Sequence, residues 1–267
     1  MKISKLALMI ALVVLILSGC KGKQDTQNLP ENETTKQITT FAPLPSFKEV
    51  FRALDMVESK NIAQAVNKQV FSTKQDISRN SFALGLLTAD AIVASRSHNK
   101  KVMIDISNEM MKLTPLLGLD EEINRLGDDI KTMIDKEKWE DMEKALDAQK
   151  DQVEAKLWES ESYDNYTLML LGGWTEAINR VSYLIDSNYS ADKTKVLNQK
   201  GTWNSLMANL DLINSEVITK ASHFENAKVK VKEIKSIIDA DNAGTYTQEQ
   251  LKQLISLTDN IKTNFQK

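Results

Sequence analysis

Residues that form turns are scarce in most of this chain, and this scarcity limits the folds that the chain can adopt. Of its 267 residues only nine are glycine and four are proline, and three of the prolines lie between residues 30 and 45. A sheet of many short strands needs frequent turns, which glycine and proline usually form. The body of the chain after Pro45 is therefore predicted to be helical.

Apolar residues recur at helical spacing from Ser46 to the C-terminus. Ser46 and Glu49 form a capping box directly after Pro45, and Thr247 and Gln250 form a second one. The predicted helical segments cover about 46–57, 61–71, 77–98, 100–114, 120–135, 139–157, 163–187, 190–200, 202–219, 222–240 and 247–265, of which 61–71 and 190–200 are only short stretches. With about eight to ten helices and no strand, the sequence predicts an all-α domain over 46–267. We expect a multi-helix bundle or a short α/α-repeat.

Two of these helices, 77–98 and 163–187, are apolar on nearly every side, which predicts that both lie in the interior. At an offset of 86 positions, Asp90-Ala91-Ile92 aligns with Glu176-Ala177-Ile178, and Gly85 lies near the equivalent of Gly172. The two helices are consistent with a duplicated helical hairpin, as in stacked α-helical repeats. Chance similarity between two helices rich in alanine and leucine is the alternative.

The few glycines of the body have different expected roles. Gly172 and Gly173 lie inside an apolar helix without the lysine and serine of a phosphate-binding loop. We expect these two residues to let helices approach closely. Gly118 is expected to end the turn after Pro115, and Gly201 to break the chain between two helices.

Asp90 and Glu176 are acidic residues inside the two apolar runs, and they are the first candidates for a site. Buried carboxylates are costly unless they are paired, and unusual pKa values cluster at functional sites. One interpretation is structural: Glu176 pairs with Arg180 one turn later, and Asp90 pairs with Arg79 or Arg96. The other interpretation is a cavity between the two helices, where both carboxylates hold a cationic or polar ligand. The structural interpretation is favoured.

Trp174 is the third candidate, because it shares a helix with Tyr163, Tyr166 and Tyr183. This aromatic cluster would line a cleft if the ligand interpretation holds. A tryptophan in an apolar helix belongs more often to the core than to a binding platform.

Composition and charge exclude several functions. The formal net charge of −3 provides no electrostatic footprint for nucleic acid. His98 and His223 have no second histidine at helical spacing and no cysteine partner, so neither a zinc nor a di-iron site is expected. The chain contains no Gly-x-Ser-x-Gly nucleophile elbow. We therefore expect no metal, no cofactor and no enzymatic activity.

The first twenty residues have the organisation of an export signal. Lys2 and Lys5 precede an apolar run from Leu6 to Leu17, which is too short to span a membrane as a helix. A small pair, Ser18-Gly19, then precedes Cys20, the only cysteine of the chain. The segment Leu17-Ser18-Gly19-Cys20 resembles the lipobox of bacterial lipoproteins.

The resemblance implies that signal peptidase II cuts between Gly19 and Cys20 and that the Cys20 thiol carries a diacylglyceryl group with fatty acids such as palmitate. Two acyl chains hold a protein stably at a membrane, whereas one holds it only marginally. Residues 1–19 are then a signal peptide and residues 20–45 a lipidated cysteine with a disordered polar tether. In a Gram-negative cell, Lys21 favours the outer membrane, with the domain facing the periplasm. The alternative is an ordinary secretory signal or an uncleaved anchor.

These features together predict a membrane-anchored lipoprotein of the bacterial envelope. We expect a non-enzymatic helical module that binds or scaffolds an envelope protein or a small ligand. The alternative function is a soluble-ligand binding protein with its cavity between helices 77–98 and 163–187. An enzyme that uses Asp90 and Glu176 is the least favoured interpretation.

Overall fold

The structure is a computed structural model that describes residues 76–119, 129–240 and 243–267 together with Ile62. All the regular structure within these ranges is helical. No strand occurs within these ranges, so the predicted all-α class is confirmed. The predicted capping box at Ser46 and Glu49, the tether and the signal segment lie outside the described residues.

The helices are labelled here in chain order. They are α1 (Ile77–Arg96), α2 (Lys100–Leu113), α3 (Trp139–Glu159), α4 (Tyr163–Ser187), α5 (Lys200–Leu212), α6 (Glu216–Thr219), α7 (Ser222–Asp239) and α8 (Gln248–Gln266). Two 3-10 helices, Thr114–Leu117 and Asp192–Leu197, follow α2 and α4, and residues 129–135 are also helical.

Local signals set several of the helix ends. The side chain of Asp76 accepts hydrogen bonds from the backbone N–H groups of the first turn of α1, which would otherwise lack partners. Thr247 and Gln250 form the predicted capping box at the start of α8. Gly118 has φ of 69°, a left-handed conformation that glycine adopts without strain, and it ends the turn after Pro115 as expected.

The break predicted between 190–200 and 202–219 is present, but it lies at Asn198 and Gln199, two residues before Gly201, which is in the first turn of α5. Glycine adopts helical dihedral angles as well as left-handed ones, so Gly201 continues the helix. The predicted helix 202–219 is itself interrupted at Ile213, whose ψ of 121° is extended. A short turn then leads into α6.

The predicted interior helices are central in the structure. Sixteen of the 20 residues of α1 and 20 of the 25 residues of α4 are buried, as expected for helices covered on all sides. Helix α2 packs on α1 and α5 packs on α4, while α3 and α8 each contact both α1 and α4, and α7 covers α5 and α8. The α1–α4 pair is thus the centre on which the outer helices pack.

The backbones of α1 and α4 touch where both helices carry glycine. A Cβ atom placed on Gly85 would lie 1.8 Å from the carbonyl oxygen of Met169, and one on Gly172 would lie 2.0 Å from that of Phe82. No residue larger than glycine fits either position without moving a helix. The prediction that Gly172 serves close helix approach is confirmed.

These two contacts are reciprocal. Gly85 faces Met169 and Gly173, and Gly172 faces Phe82 and Leu86, so each position on one helix corresponds to the position 87 residues away on the other. At this offset four positions of the two helices have the same residue type: Leu84, Gly85, Thr88 and Ser95 of α1 correspond to Leu171, Gly172, Thr175 and Ser182 of α4. The geometry therefore relates α1 and α4 by a register one residue longer than the offset of 86 that aligned the acidic triplets.

Candidate functional site

The two acidic candidates meet at one guanidinium group in the core. Arg180, on α4, lies with Nε 3.0 Å from Oδ1 of Asp90 and with Nη2 3.4 Å from Oδ2 of the same carboxyl group. The same Nη2 lies 2.5 Å from Oε1 of Glu176, one turn earlier on α4. The predicted pair of Glu176 with Arg180 is confirmed, and Arg180 also joins α1 to α4.

A second cation comes from α8. Lys262 Nζ lies 2.8 Å from Oε2 of Glu176 and donates a hydrogen bond of 3.0 Å to Oδ1 of Asn179. The amide of Asn179 donates in turn to Thr258 and Asp259, at 2.8 and 3.0 Å. Three helices therefore contribute to one polar cluster, which consists of Asp90, Glu176, Asn179, Arg180, Thr258, Asp259 and Lys262.

Four charged side chains of this cluster are almost completely removed from solvent. The side chain of Glu176 is 0% exposed, and those of Asp90, Arg180 and Lys262 are 3–4% exposed. An isolated charge at such a depth would be very costly, whereas a paired and hydrogen-bonded one is tolerated. Asp259 is 43% exposed and lies at the edge of the cluster.

The cluster shifts the pKa values of its two buried acids in opposite directions. Burial and the nearby Glu176 carboxylate raise the pKa of Asp90 to about 8. Burial also opposes the ionisation of Glu176, but the charges of Arg180 and Lys262 outweigh it and hold the pKa of Glu176 below its ordinary value. The two pKa values differ because a cation contacts each oxygen of Glu176, whereas Asp90 contacts Arg180 and shares it with Glu176.

The predicted partners of Asp90 were wrong. Arg79 binds Asp76 through Nε at 3.1 Å and donates through Nη1 to the last backbone carbonyls of α8. Arg96 lies 2.7 Å from Glu143 of α3. Both arginines belong to the ends of α1, whereas Asp90 lies near its middle and faces α4.

Four members of the cluster, Asn179, Thr258, Asp259 and Lys262, were not predicted from the sequence, and Lys262 is the buried charge among them. It lies one turn after Thr258 in a helix whose other buried residues are apolar, and Thr258 is itself fully buried. A lysine on the buried face of an amphipathic helix is the signal that was available, because a buried lysine needs an acidic partner.

Trp174 is fully buried, so its ring faces no open cleft. Tyr163 and Tyr166 form edge-to-face contacts with Trp158 of α3, with ring centroids 4.8 and 6.3 Å apart. Tyr183 is 45% exposed and donates to Asp259 at 3.1 Å. The tyrosines of α4 therefore divide between the α3 contact and the edge of the polar cluster, and the cleft expected around Trp174 is a packed region.

His223 belongs to a second polar group, at the start of α1. Its Nε2 lies 3.0 Å from Oγ of Ser78, and this hydroxyl donates to Asp76 at 2.5 Å. In a catalytic triad the acid orients the histidine and the histidine accepts the serine proton. Here the Asp76 carboxylate accepts the hydrogen bond of the serine hydroxyl directly, so the group differs from a triad in its order and ties the start of α1 to α7.

An open cleft of about 340 Å³ lies between α2 and residues 129–135. Its apolar walls include Ile104 and Met111, which are 39% and 38% exposed, and Ser107, Asn108 and Lys131 provide polar groups. The volume is at the lower end of the range for small-molecule sites. None of the candidate acids lines this cleft.

Comparisons of the chain with protein-family models, with curated proteins and with solved structures found no match. Within the described ranges, no helix is long and apolar enough to cross a membrane. The same residues contain no group of three or more histidine, cysteine, aspartate or glutamate side chains placed to hold a metal ion.

Proposed function

We propose that this protein is a lipid-anchored lipoprotein of the bacterial envelope whose helical body acts as a non-enzymatic binding or scaffolding module. The observation that carries the proposal is the segment Leu17-Ser18-Gly19-Cys20 at the end of an apolar run with a basic start. A dozen apolar residues suit an export signal, and the cysteine directly after the small pair is the residue that a lipobox modifies. Attachment to an outer membrane is part of the proposal if the cell is Gram-negative.

The described body supports the non-enzymatic part of the proposal. The carboxylates inside the apolar helices, Asp90 and Glu176, are bound by Arg180 and Lys262 instead of facing an open space. Ser78 and His223 lie close together, but the hydrogen bond to the nearby acid, Asp76, comes from the serine hydroxyl. These polar groups hold helices together, as expected in a rigid module that presents its surface to a partner.

Lipid attachment is tested in the full-length chain expressed in a bacterium grown with radiolabelled palmitate. We expect label in the wild-type protein and none in Cys20→Ala, and mass spectrometry should find a mature chain that begins at an acylated Cys20. Retention of label by Cys20→Ala, or a native chain that begins at Met1, would contradict the proposal. Ser162→Ala is a matched control for a substitution elsewhere and should keep the label.

The alternative is a small-ligand site built on Asp90 and Glu176. The stability of the free protein, measured without any ligand, distinguishes this alternative from the structural role. If the acids served only a ligand, Asp90→Ala or Glu176→Ala would leave the melting temperature of the free protein unchanged. The structural role predicts a clear fall for both, because each substitution removes contacts of a buried cluster. Thermal unfolding followed by circular dichroism gives the answer.

A further inference from the structure

The polar cluster contains more acids than cations. Three carboxyl groups, Asp90, Glu176 and Asp259, lie around two cations, Arg180 and Lys262. The four members that are almost completely buried balance in charge if all are ionised, while Asp259, which is 43% exposed, also draws on Lys262. Asp90 and Glu176 contact the same nitrogen of Arg180, and two carboxylates that share a site repel each other, so that one of them usually keeps its proton.

The contacts distinguish the two buried carboxyl groups. Glu176 has a cation on each oxygen, Arg180 Nη2 at 2.5 Å and Lys262 Nζ at 2.8 Å. Among the described residues Asp90 contacts one cation, Arg180, through Nε at 3.0 Å and through the Nη2 that lies closer to Glu176, at 3.4 Å. Of the two buried acids, Asp90 therefore has the weaker compensation of its charge.

In the part of the chain that the structure describes, the other elements packed on α1 provide no further cation for Asp90. On α3, Lys150 lines a small space next to Thr88, but its Nζ lies 2.6 Å from Glu154. The residues that α2 buries, Val102, Met103, Ile106, Met110 and Leu113, are apolar. The 3-10 helix Thr114–Leu117 carries no charged residue.

We propose that Asp90 is protonated in the folded protein at neutral pH and donates a hydrogen bond to Glu176, so that the joint between α1, α4 and α8 loosens when that proton is lost. Both carboxyl groups contact Nη2 of Arg180, Glu176 through Oε1 at 2.5 Å and Asp90 through Oδ2 at 3.4 Å. A shared proton turns two acids that would repel each other into a pair that holds α1 to α4.

The proposal fixes the sign of a pH dependence. The pKa of Asp90 is about 8 in the folded chain and about 4 in an unfolded one. Between these values the folded chain binds more protons than the unfolded chain, so stability falls as pH rises. The contribution of Asp90 is fully present below about pH 4 and is lost progressively up to about pH 8, where the unfolding constant rises by up to about tenfold per pH unit.

Asp90→Asn tests this proposal, because an amide has the shape of the protonated acid and can donate to Glu176 but cannot ionise. Urea unfolding of the full chain is measured between about pH 5 and pH 8. We expect the stability of wild type to fall relative to that of Asp90→Asn as pH rises. Asp211→Asn, a change at a side chain that is 59% exposed, serves as the matched control and should keep the wild-type slope.

Infrared spectroscopy gives a second readout that does not depend on stability. At neutral pH the wild-type protein should show the carbonyl stretch of a protonated carboxyl group, which should be absent from Asp90→Asn and should disappear from wild type above about pH 8. The proposal is overturned if wild type lacks this band at neutral pH, or if wild type and Asp90→Asn have the same pH slope. Should Asp90→Asn fail to fold, the band in wild type decides alone.

Discussion

Alanine at the glycine crossing of α1 and α4 should be strongly destabilising. The Cβ atom of Gly85→Ala would lie 1.8 Å from the Met169 carbonyl oxygen, and that of Gly172→Ala would lie 2.0 Å from the Phe82 carbonyl oxygen. Real Cβ atoms essentially never come closer than 3.0 Å to another heavy atom. The obstructing atoms are backbone, so a side-chain rotation cannot relieve the clash and the two central helices must separate by about 1 Å or more.

The expected magnitude has two opposing parts. Overpacking a core typically costs about 1–3 kcal/mol, and a clash with backbone belongs at the upper end of that range. Alanine gains back up to about 1 kcal/mol over glycine from its helix propensity. A net loss of about 2 kcal/mol or more corresponds to a fall in melting temperature of roughly 5–10 °C for a chain of this size.

Gly201→Ala provides a control within the same protein. Gly201 also lies in a helix, but no atom lies within 4 Å of the position of its Cβ. Only the gain in propensity applies there, and we expect a rise in melting temperature of up to about 2–4 °C. Thermal unfolding of the three variants by circular dichroism measures both signs. If Gly85→Ala or Gly172→Ala is as stable as Gly201→Ala, the close contact of α1 and α4 is refuted.

Two further stability predictions follow from the same structure. Arg180→Met should cost about 3–5 kcal/mol in urea unfolding, because it removes the cation that Asp90 and Glu176 share. Lys220→Met breaks a pair whose side chains are 74% and 81% exposed, and it should change stability by no more than about 0.5 kcal/mol. Equal effects of the two substitutions would contradict the stabilising role of the cluster. Thr247→Ala should cost about 1 kcal/mol through loss of the capping box at α8, and an unchanged urea midpoint would argue against that cap.

The helices could be predicted from the sequence because their signals are local. The apolar run and its flanking polar residues gave 163–187 for α4, the range that the structure has, and gave α1 to within two residues at its end. The capping box at Thr247 and the turn at Gly118 depend only on neighbouring residues. Gly201 lies inside α5 and not at the break two residues before it, because glycine adopts helical as well as left-handed dihedral angles and does not by itself mark a helix end.

The partners of the buried acids could be predicted only in part, for a physical reason. Glu176 and Arg180 are one turn apart on one helix, so their pairing follows from helix geometry. Asp90 and Arg180 are 90 positions apart, and Lys262 comes from a third helix. The arginine that Asp90 contacts is determined by how α1 and α4 pack together. The periodicity of apolar residues indicates only that each helix is buried.

The glycine crossing and the polar cluster belong to one arrangement. The contacts advance in the same direction along both helices, from Gly85 and Gly172 to Asp90 and Arg180. Two straight helices that cross and touch at one point move apart on either side of it. Residues with side chains are therefore needed to fill the space between the helices away from the glycines. Apolar residues would fill it with equal or greater stability, but in many registers. A guanidinium group bound by two carboxyl groups accepts only a narrow range of positions, because its donors form a rigid planar fork. The cluster therefore fixes the register that the glycines, which have no side chain, leave open.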